Sequence, residues 1–582
     1  MIKLLKNLKL RDWLLIALEV AIICLCVYLE LLLPDYMKDI TVAISNKNNT
    51  IKDVYIAGGK MLLCALGSSV GAVISTFISS FVSASLSFYT REKLYNHVVD
   101  LDSKKAKKFS TASLITRTTN DITQIQMIMS MGLMMLIKAP ILAVTAIIKI
   151  VNKSLELSLL TAAAVVIIVG SITLIMFLVL PRFKIVQKLT DDVNRIARET
   201  LTGNKVVRAF NAKDYMEEKF DEKNTKLINT QLFNRTTFSF MSPIMSFVMS
   251  SLTLFIYWIG VTLINNAAIT DKVNVFGNIV VFSSYAMYVI QAFMFLAMIF
   301  MMLPRAEVSA KRINEVIDCN IEIKSGSKDE VVSKGTLEFK NVSFHYGDGK
   351  DVLKNVSFKV NKGETIAFIG ATGCGKSTIV NLATRLYDAS SGEILVDGVN
   401  IKDLSFDTLY NKIACVPQKA ELFSDTIKNN IKFGNENASD EIIKKAITIA
   451  QASDFVYNLP EKEESLIAER GNNLSGGQKQ RICIARALAR NSEIIIFDDS
   501  FSALDYKTDK NLRSAIASEL KGTTCVIVAQ RIGTIKNANR IIVLDHGKIV
   551  GDGTHKELLN NCSVYKEIAH SQLSEEELNG GK

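Results

Sequence analysis

Six apolar stretches, near residues 13–33, 57–86, 127–150, 156–181, 240–264 and 276–303, dominate the first half of the chain. Each is long enough to cross a bilayer as a helix, which takes about 20 residues. Their spacing is uneven. Polar connections of roughly 40 to 60 residues with helical periodicity separate the second span from the third and the fourth from the fifth. The third and fourth spans, and the fifth and sixth, are joined by only a few residues. Long connections on one side and short ones on the other predict helices that extend well past the bilayer on one side. STASLITRTTNDI (110–122) and TGNKVVRAFNAKDY (202–215) read either as short transverse helices at the far ends of these hairpins or as solvated helical loops.

The opening MIKLLKNLKLRDW sets Leu4, Leu5, Leu8 and Trp13 among Lys3, Lys6 and Lys9. That is the pattern of an interfacial helix leading into the first span. It lacks a small-residue cleavage site, so it reads as retained. After Pro304 the apolar density falls. RAEVSAKRINEVID (305–318) continues as a helix, and KSGSKDEVVSKG (324–335) is polar linker. The expected organisation is a transmembrane domain over 1–318, a linker over 319–334, a soluble α/β domain over 335–569 and a tail over 570–582.

Charge orients this plan. The first internal connection holds Arg91, Lys93, Lys104, Lys105, Lys107, Lys108 and Arg117, whereas the outer loop balances Lys38, Lys47 and Lys52 against Asp35, Asp39 and Asp53. Basic loops stay inside, which places both termini and the soluble domain in the cytoplasm of a multi-pass protein of the cell membrane. The same asymmetry accounts for much of the net charge of +10 without nucleic acid as a partner. The KKAKK run at 104–108 then lies near anionic headgroups. Nine scattered cysteines, with no C-x-x-C pair outside a span and no His cluster, argue against a disulfide framework or a zinc site.

The chemistry is concentrated in the second half. GATGCGKS, Gly370 to Ser377, follows the strand-like TIAF and precedes the helix-like STIVNLATRLY. This is a phosphate-binding loop. Backbone N–H groups around Gly370, Thr372, Gly373, Cys374, Gly375 and Thr378 would cradle the phosphates of ATP, Lys376 would reach the β/γ oxygens, and Ser377 would ligate Mg²⁺. Cys374 is either a thiol-sensitive point or a small filler. Tyr346 lies about 24 residues before the loop and offers a ring to adenine. Gln418, in VPQ, follows a short strand and is placed to sense Mg²⁺ or the γ-phosphate. LSGGQ (Leu474, Ser475, Gly476, Gly477, Gln478) leads into a basic helix. EIIIFDD ends in Asp498 and Asp499, the setting of an Mg²⁺-ligating carboxylate at a strand's C-terminal edge. SALD, ending in Asp505, and CVIVAQ, ending in Gln530, complete the series.

This series resembles the nucleotide-binding domain of ATP-binding cassette (ABC) transporters. With six preceding spans, the whole chain resembles an exporter-type half-transporter, in particular the degenerate-site chain of heterodimeric bacterial multidrug exporters. The resemblance implies a six-span α-helical domain followed by a P-loop ATPase domain with a helical subdomain. It makes Tyr346 the adenine-stacking aromatic, Gln418 the Q-loop glutamine, and Asp498 the Walker B metal ligand beside Ser377. Asp505 becomes the D-loop aspartate and Glu469 a contact for coupling helices. Two such domains close head to tail, each ATP lying between one chain's Walker A loop and the other's LSGGQ.

Two positions depart from the family pattern. Active exporters carry glutamate after the Walker B aspartate, and this chain has Asp499. One methylene fewer leaves the carboxylate about 1.5 Å short of the same point. The switch histidine is replaced by Gln530, a neutral amide that can hydrogen-bond but not become cationic. Both changes fall in one ATP site, while the signature and Asp505, which serve the opposite site, are intact. The expected assembly is a heterodimer whose partner carries the glutamate and the histidine.

The cargo is less determined. Methionines and aromatics in the spans suit either an adaptable amphiphile cavity or ordinary helix packing. Glu19, Glu30, Lys138 and Gln291 are polar groups within spans; Gln291 is the preferred cavity contact, and Glu19 the group to attract a cationic substrate. Export of hydrophobic or amphiphilic compounds leads. A lipid or peptide exporter, and more distantly an ATP-gated channel or membrane sensor, stand as alternatives.

Overall fold

The computed structural model describes residues 2–45, 51–106, 108–151, 155–268, 271–329, 331–332, 334–347 and 349–573. Lys47, Lys107 and the part of the expected tail beyond Leu573 lie outside the described residues. Contacts divide the chain into two units. One comprises Met1–Val99 and Ser110–Cys319, the other Asp100–Phe109 and Asn320–Lys582.

The first unit contains six long helices, each apolar enough over part of its length to cross a membrane: α1 (Leu10–Ile44), α2 (Ile51–Asp100), α3 (Thr111–Val151), α4 (Leu155–Thr202), α5 (Lys213–Asn266) and α6 (Lys272–Ile317). At 1.5 Å per residue, the 50 residues of α2 run about 75 Å, well beyond the bilayer. Packing is closest between α3 and α6. Ala143 and Ala146 present a small-residue seam on α3, and Phe282, Tyr285, Ala286 and Val289 of α6 are buried in the same core. Small side chains let helix axes approach where lipid supplies no hydrophobic drive.

Polar residues lock α1 to this pair. Tyr285 donates its hydroxyl to the Leu31 carbonyl at 2.9 Å. Lys138 pairs with Glu30 at 2.7 Å and Lys149 with Asp35 at 2.9 Å. Glu30 and Lys138 thus satisfy each other.

Three sequence expectations change. The first span does not stop before Pro34: α1 runs through it to Ile44, so most of the expected outer loop is helix. A proline removes one backbone donor, and the flanking turns retain theirs. Residues 110–122 are not a separate transverse helix but the first turns of α3. Ser110 caps them by accepting from Ser113 N, and a π-helical turn, Arg117–Asp121, carries the chain onward. The short helix of that connection is Ser103–Ala106, which belongs to the second unit. In the other connection a short helix, Asn204–Ala209, does fall within 202–215. Finally, Glu19 does not face an open cavity. It is fully buried between α1 and α2, where Ser75 donates to its Oε1 at 3.4 Å and Ser79 donates to the same oxygen.

The second unit is built on two sheets. An antiparallel sheet has the order β2-β1-β4-β5, from β1 (Leu337–Phe344), β2 (Leu353–Val360), β4 (Ser391–Val396) and β5 (Val399–Asn400). The other has the order β10-β9-β3-β8-β7-β6, from β3 (Thr365–Ile369), β6 (Ile413–Val416), β7 (Ile494–Asp498), β8 (Thr524–Val528), β9 (Arg540–Asp545) and β10 (Lys548–Gly553). Strands β6, β7, β8, β3 and β9 are parallel and buried on both faces. Their side chains therefore alternate between two cores. Ile366, Phe368, Ile494 and Ile496 enter one, and Ala367, Ile369, Ile495 and Phe497 the other. The C-terminal ends of β3, β7 and β8 lie side by side, which gathers the loops that follow them.

Candidate functional site

The loop after β3 opens helix α7 (Lys376–Ala383). Its shape demands glycine at two places. Gly375 has φ +106, and a Cβ there would come within 2.6 Å of Leu353 Cδ2. At Gly370 a Cβ would lie 2.1 Å from the Leu544 carbonyl. The backbone thus curls around a concavity no side chain could share. Lys376, buried at its base, donates to the carbonyls of Gly370 at 2.7 Å and Ala371 at 2.9 Å. Cys374 is buried beneath the loop, 3.7 Å from the Lys376 ammonium.

Facing this loop, β7 ends in two adjacent buried carboxylates. Ser377 donates to Asp498 Oδ1 at 3.1 Å. Burial pushes Asp498 above the ordinary aspartate range, against the Ser377 hydrogen bond, and the Asp499 charge adds to the rise. Two crowded carboxylates and a hydroxyl, with the Lys376 ammonium nearby, form a hard-oxygen donor set that suits Mg²⁺ when completed by phosphate oxygens and water. The residues present fit Mg²⁺-ATP.

Asp499 sits in the left-handed region at φ +48, its N–H tied to the Val528 carbonyl at 2.8 Å. Gln418 and Gln530 both donate their side-chain amides to Asp499 Oδ2, at 3.2 and 3.0 Å. Gln418, Asp499 and Gln530 therefore form one hydrogen-bonded cluster. Gln480, on helix α9 (Gly476–Ala489, which follows α8, Asp440–Ile449), joins it indirectly by donating to the Pro417 carbonyl at 3.2 Å.

Tyr346 is 39% exposed and shares a hydrogen bond with Thr378 at 3.2 Å. Its ring meets Phe344 and Tyr387 edge-on, at 4.8 and 5.2 Å. The signature residues stand elsewhere. Ser475 caps α9 by accepting from Gln478 N at 3.3 Å, while Gln478 Oε1 accepts from Ser475 N at 2.9 Å. Leu474 is half-buried, and a Cβ at Gly476 would meet open space. Asp505 caps α10 (Tyr506–Glu519) through Thr508 N at 2.9 Å. Glu469 is exposed and opens a short turn, Glu469–Gly471. Among the described residues, no hydrogen bond joins Leu474–Gln478, Asp505 or Glu469 to the Gly370–Thr378 loop. Gln291 is exposed on α6.

One contributor escapes a motif search. Gln572, the last residue of α11 (Ser563–Gln572), accepts from Ile532 N and donates to the Gln530 carbonyl, both at 2.8 Å. Its only local signal is spacing: Tyr565, Ala569 and Gln572 recur at helical intervals on one face.

A six-helix membrane domain joined to a two-sheet domain with a glycine-shaped phosphate loop, paired carboxylates and a capped signature helix defines an ATP-binding cassette architecture. The chain belongs to the ABC transporter family. The family description "ABC transporter transmembrane region" matches residues 14–293, and "ABC transporter" matches residues 353–502. YfiB of Bacillus subtilis, an uncharacterized ABC transporter ATP-binding protein, is 34% identical over 528 residues, covering 90% of this chain and 91% of its own. The ATP-dependent lipid A-core flippase of Haemophilus influenzae is 33% identical over 509 residues, covering 86% and 85%. A solved bacterial Atm1-family ABC exporter with ATP bound superposes with a TM-score of 0.80 at 23% identity, covering 97% of this chain and all of that one. That last likeness concerns the fold. The chain is thus an exporter-type half-transporter, a multi-pass membrane protein whose ATPase domain binds ATP and couples its hydrolysis to transport.

Proposed function

We propose that this chain is the degenerate-site half of a heterodimeric exporter of hydrophobic or amphiphilic compounds, with its ATPase domain and both termini in the cytoplasm. The observation that carries this reading is the pair of amide donors on Asp499 Oδ2. A general base must offer a lone pair to the attacking water. Here Oδ2 of a carboxylate already too short is engaged by two amide donors. A misplacement of about 1 Å costs on the order of 10²-fold in rate.

In this reading the loop N–H groups and Lys376 hold the phosphates, and Ser377, Asp498 and Gln418 serve Mg²⁺. Tyr346 carries the adenine. Leu474–Gln478 and Asp505 face the ATP of a partner half-transporter with a competent glutamate and histidine, and Glu469 meets coupling helices. When bound, Mg²⁺-ATP supplies the reactive phosphoanhydride; this chain's residues bind it, orient it and keep it.

For cargo, Ser246, Met249, Ser250 and Thr253 of α5 and Met287 of α6 line an open cavity of about 470 Å³, and Gln291 is exposed one turn further along α6. Hydroxyls interleaved with methionines suit an amphiphile. A lipid is the second reading, favoured by the likeness to the lipid A-core flippase.

The test is ATPase activity of the full-length chain with and without its partner. Alone it should bind ATP and turn over near background; with the partner, turnover should appear and be lost in Ser475→Arg of this chain. Robust turnover by the chain alone, abolished by Asp499→Ala, would sink the proposal.

A further inference from the structure

We infer that Gln572 is a positioning residue for the ATP site, acting through Gln530 from the end of the last helix. The inference rests on the reading of Gln530 as the residue at the switch position, facing the γ-phosphate.

Helix α11 is anchored by its apolar face. Tyr565 and Ala569 are fully buried and share one apolar core with Ile532 and Ile535, the residues just beyond Gln530. The Tyr565 hydroxyl is held by His555 Nδ1 at 2.6 Å. Gln572 lies seven positions after Tyr565 and three after Ala569, so the buried face of the helix carries it to the turn that follows β8.

There its amide uses both of its ends. Oε1 takes the Ile532 N–H and Nε2 donates to the Gln530 carbonyl. The two peptide groups flanking Arg531 are thereby held by one planar side chain, which fixes the backbone from which the Gln530 side chain projects. That side chain in turn reaches Asp499. Gln572, Gln530, Asp499, Ser502 and Thr534 line a single depression of about 310 Å³. A side-chain amide bridging two backbone groups is directional, so its loss leaves the switch position free to turn without unfolding the helix that carried it.

Gln572 is exposed, and α11 is otherwise secured by Tyr565 and Ala569. The bridge is therefore separable from the stability of the domain. It makes ATP retention at this site depend on a residue outside every nucleotide-binding motif.

The experiment measures dissociation of radiolabelled ATP, with Mg²⁺, from the purified full-length chain during a chase with unlabelled ATP. Gln572→Ala should speed ATP release about fivefold, and Gln572→Leu, which keeps the bulk but not the bonds, should do the same. Gln530→Ala should also speed release, and adding Gln572→Ala to it should have no further effect. Hydrogen exchange at the Ile532 amide should accelerate in both Gln572 variants. If Gln530→Ala speeds release but the Gln572 variants do not, the bridge is overturned and the reading of Gln530 stands. Unchanged release in Gln530→Ala overturns both. An effect of Gln572→Ala that persists in full on the Gln530→Ala background marks a merely structural role, and likewise overturns the inference.

Discussion

The Gln530 side-chain amide donates to Asp499 Oδ2 at 3.0 Å, so the two positions at which this chain departs from the family pattern touch each other. A histidine at 530 would bring a ring of different reach, and a glutamate at 499 would carry its carboxylate past the point where the amide now meets it. The two substitutions are complementary in space, which is a physical reason for them to occur together.

Restoring both should restore chemistry. Asp499→Glu with Gln530→His is expected to raise phosphate release by the full-length chain on the order of 10²-fold. Asp499→Glu alone should give much less, because the Gln418 and Gln530 amides still compete for the new carboxylate. Steady-state phosphate release, with Lys376→Ala as the blank, checks this. A double variant no faster than the native chain would mean that carboxylate reach is not what limits hydrolysis.

The crowded carboxylates predict a pH effect of definite sign. Burial and the neighbouring Asp499 raise Asp498. A carboxyl whose native pKa exceeds its unfolded value opposes folding when ionised, above its native pKa, and that penalty fades as pH falls through it. Asp498→Asn should therefore raise the melting temperature of the nucleotide-free protein at neutral pH. The advantage should shrink towards about pH 4. The same variant should lose the stabilisation that Mg²⁺-ATP confers. Thermal unfolding across pH, with and without nucleotide, measures both; a lower melting point for the Asn variant at neutral pH would contradict the argument.

At the opposite end of the sheet, Lys412 is buried between Asp397, at 2.6 Å, and Glu493, at 3.2 Å. Burial alone would raise Asp397, but the Lys412 ammonium and the backbone N–H groups of Thr336 and Lys334 hold it below its usual range. Its stabilising contribution is present above the ordinary aspartate pKa and is lost as pH falls through the lowered native value. Lys412→Met should destabilise the ATPase unit by about 3–5 kcal/mol, since it strands a buried carboxylate. Asp397→Asn combined with Lys412→Met should recover part of that loss in a thermal melt.

In the membrane unit, Glu30 and Lys138 pair at 2.7 Å. Lys138→Met alone should lower the yield of folded protein, and Glu30→Gln with Lys138→Met should restore most of it, because an apolar environment penalises the unpaired charge more than it rewards the pair. Size-exclusion profiles of detergent extracts would show this. Equal yields for the single and double variants would instead point to a specific role for the lysine.

Parts of the molecule were legible because their signals are local. The six spans, the phosphate loop and the strand that presents Asp498 each depend on residues adjacent in sequence. Helix ends were less legible. The first apolar stretch reads as ending near residue 33, but α1 runs on through Pro34, and residues 110–122, read as a transverse helix or a solvated helical loop, form the opening turns of α3. In both cases neighbouring turns supply the backbone hydrogen bonds that a local reading assumes lost. Glu19 reads as an open intramembrane charge because nothing near it in sequence reveals that Ser75 and Ser79 face it.

By itself, then, the sequence determined that a glycine-shaped phosphate loop from Gly370 to Ser377 follows six membrane-spanning helices, and that glutamate and histidine positions carry Asp499 and Gln530. Hydrophobic period and turn chemistry settle the spans and the loop within a few residues, and the two altered positions follow from the family resemblance. Only the tertiary structure decided that Asp499 accepts from residues 81 and 31 positions away, and that Gln572, 42 positions beyond Gln530, bonds the peptide groups on either side of Arg531. Hydrogen-bond partners of side chains are chosen by where the sheet and the last helix bring the backbone, and that choice is made only once the two cores have packed.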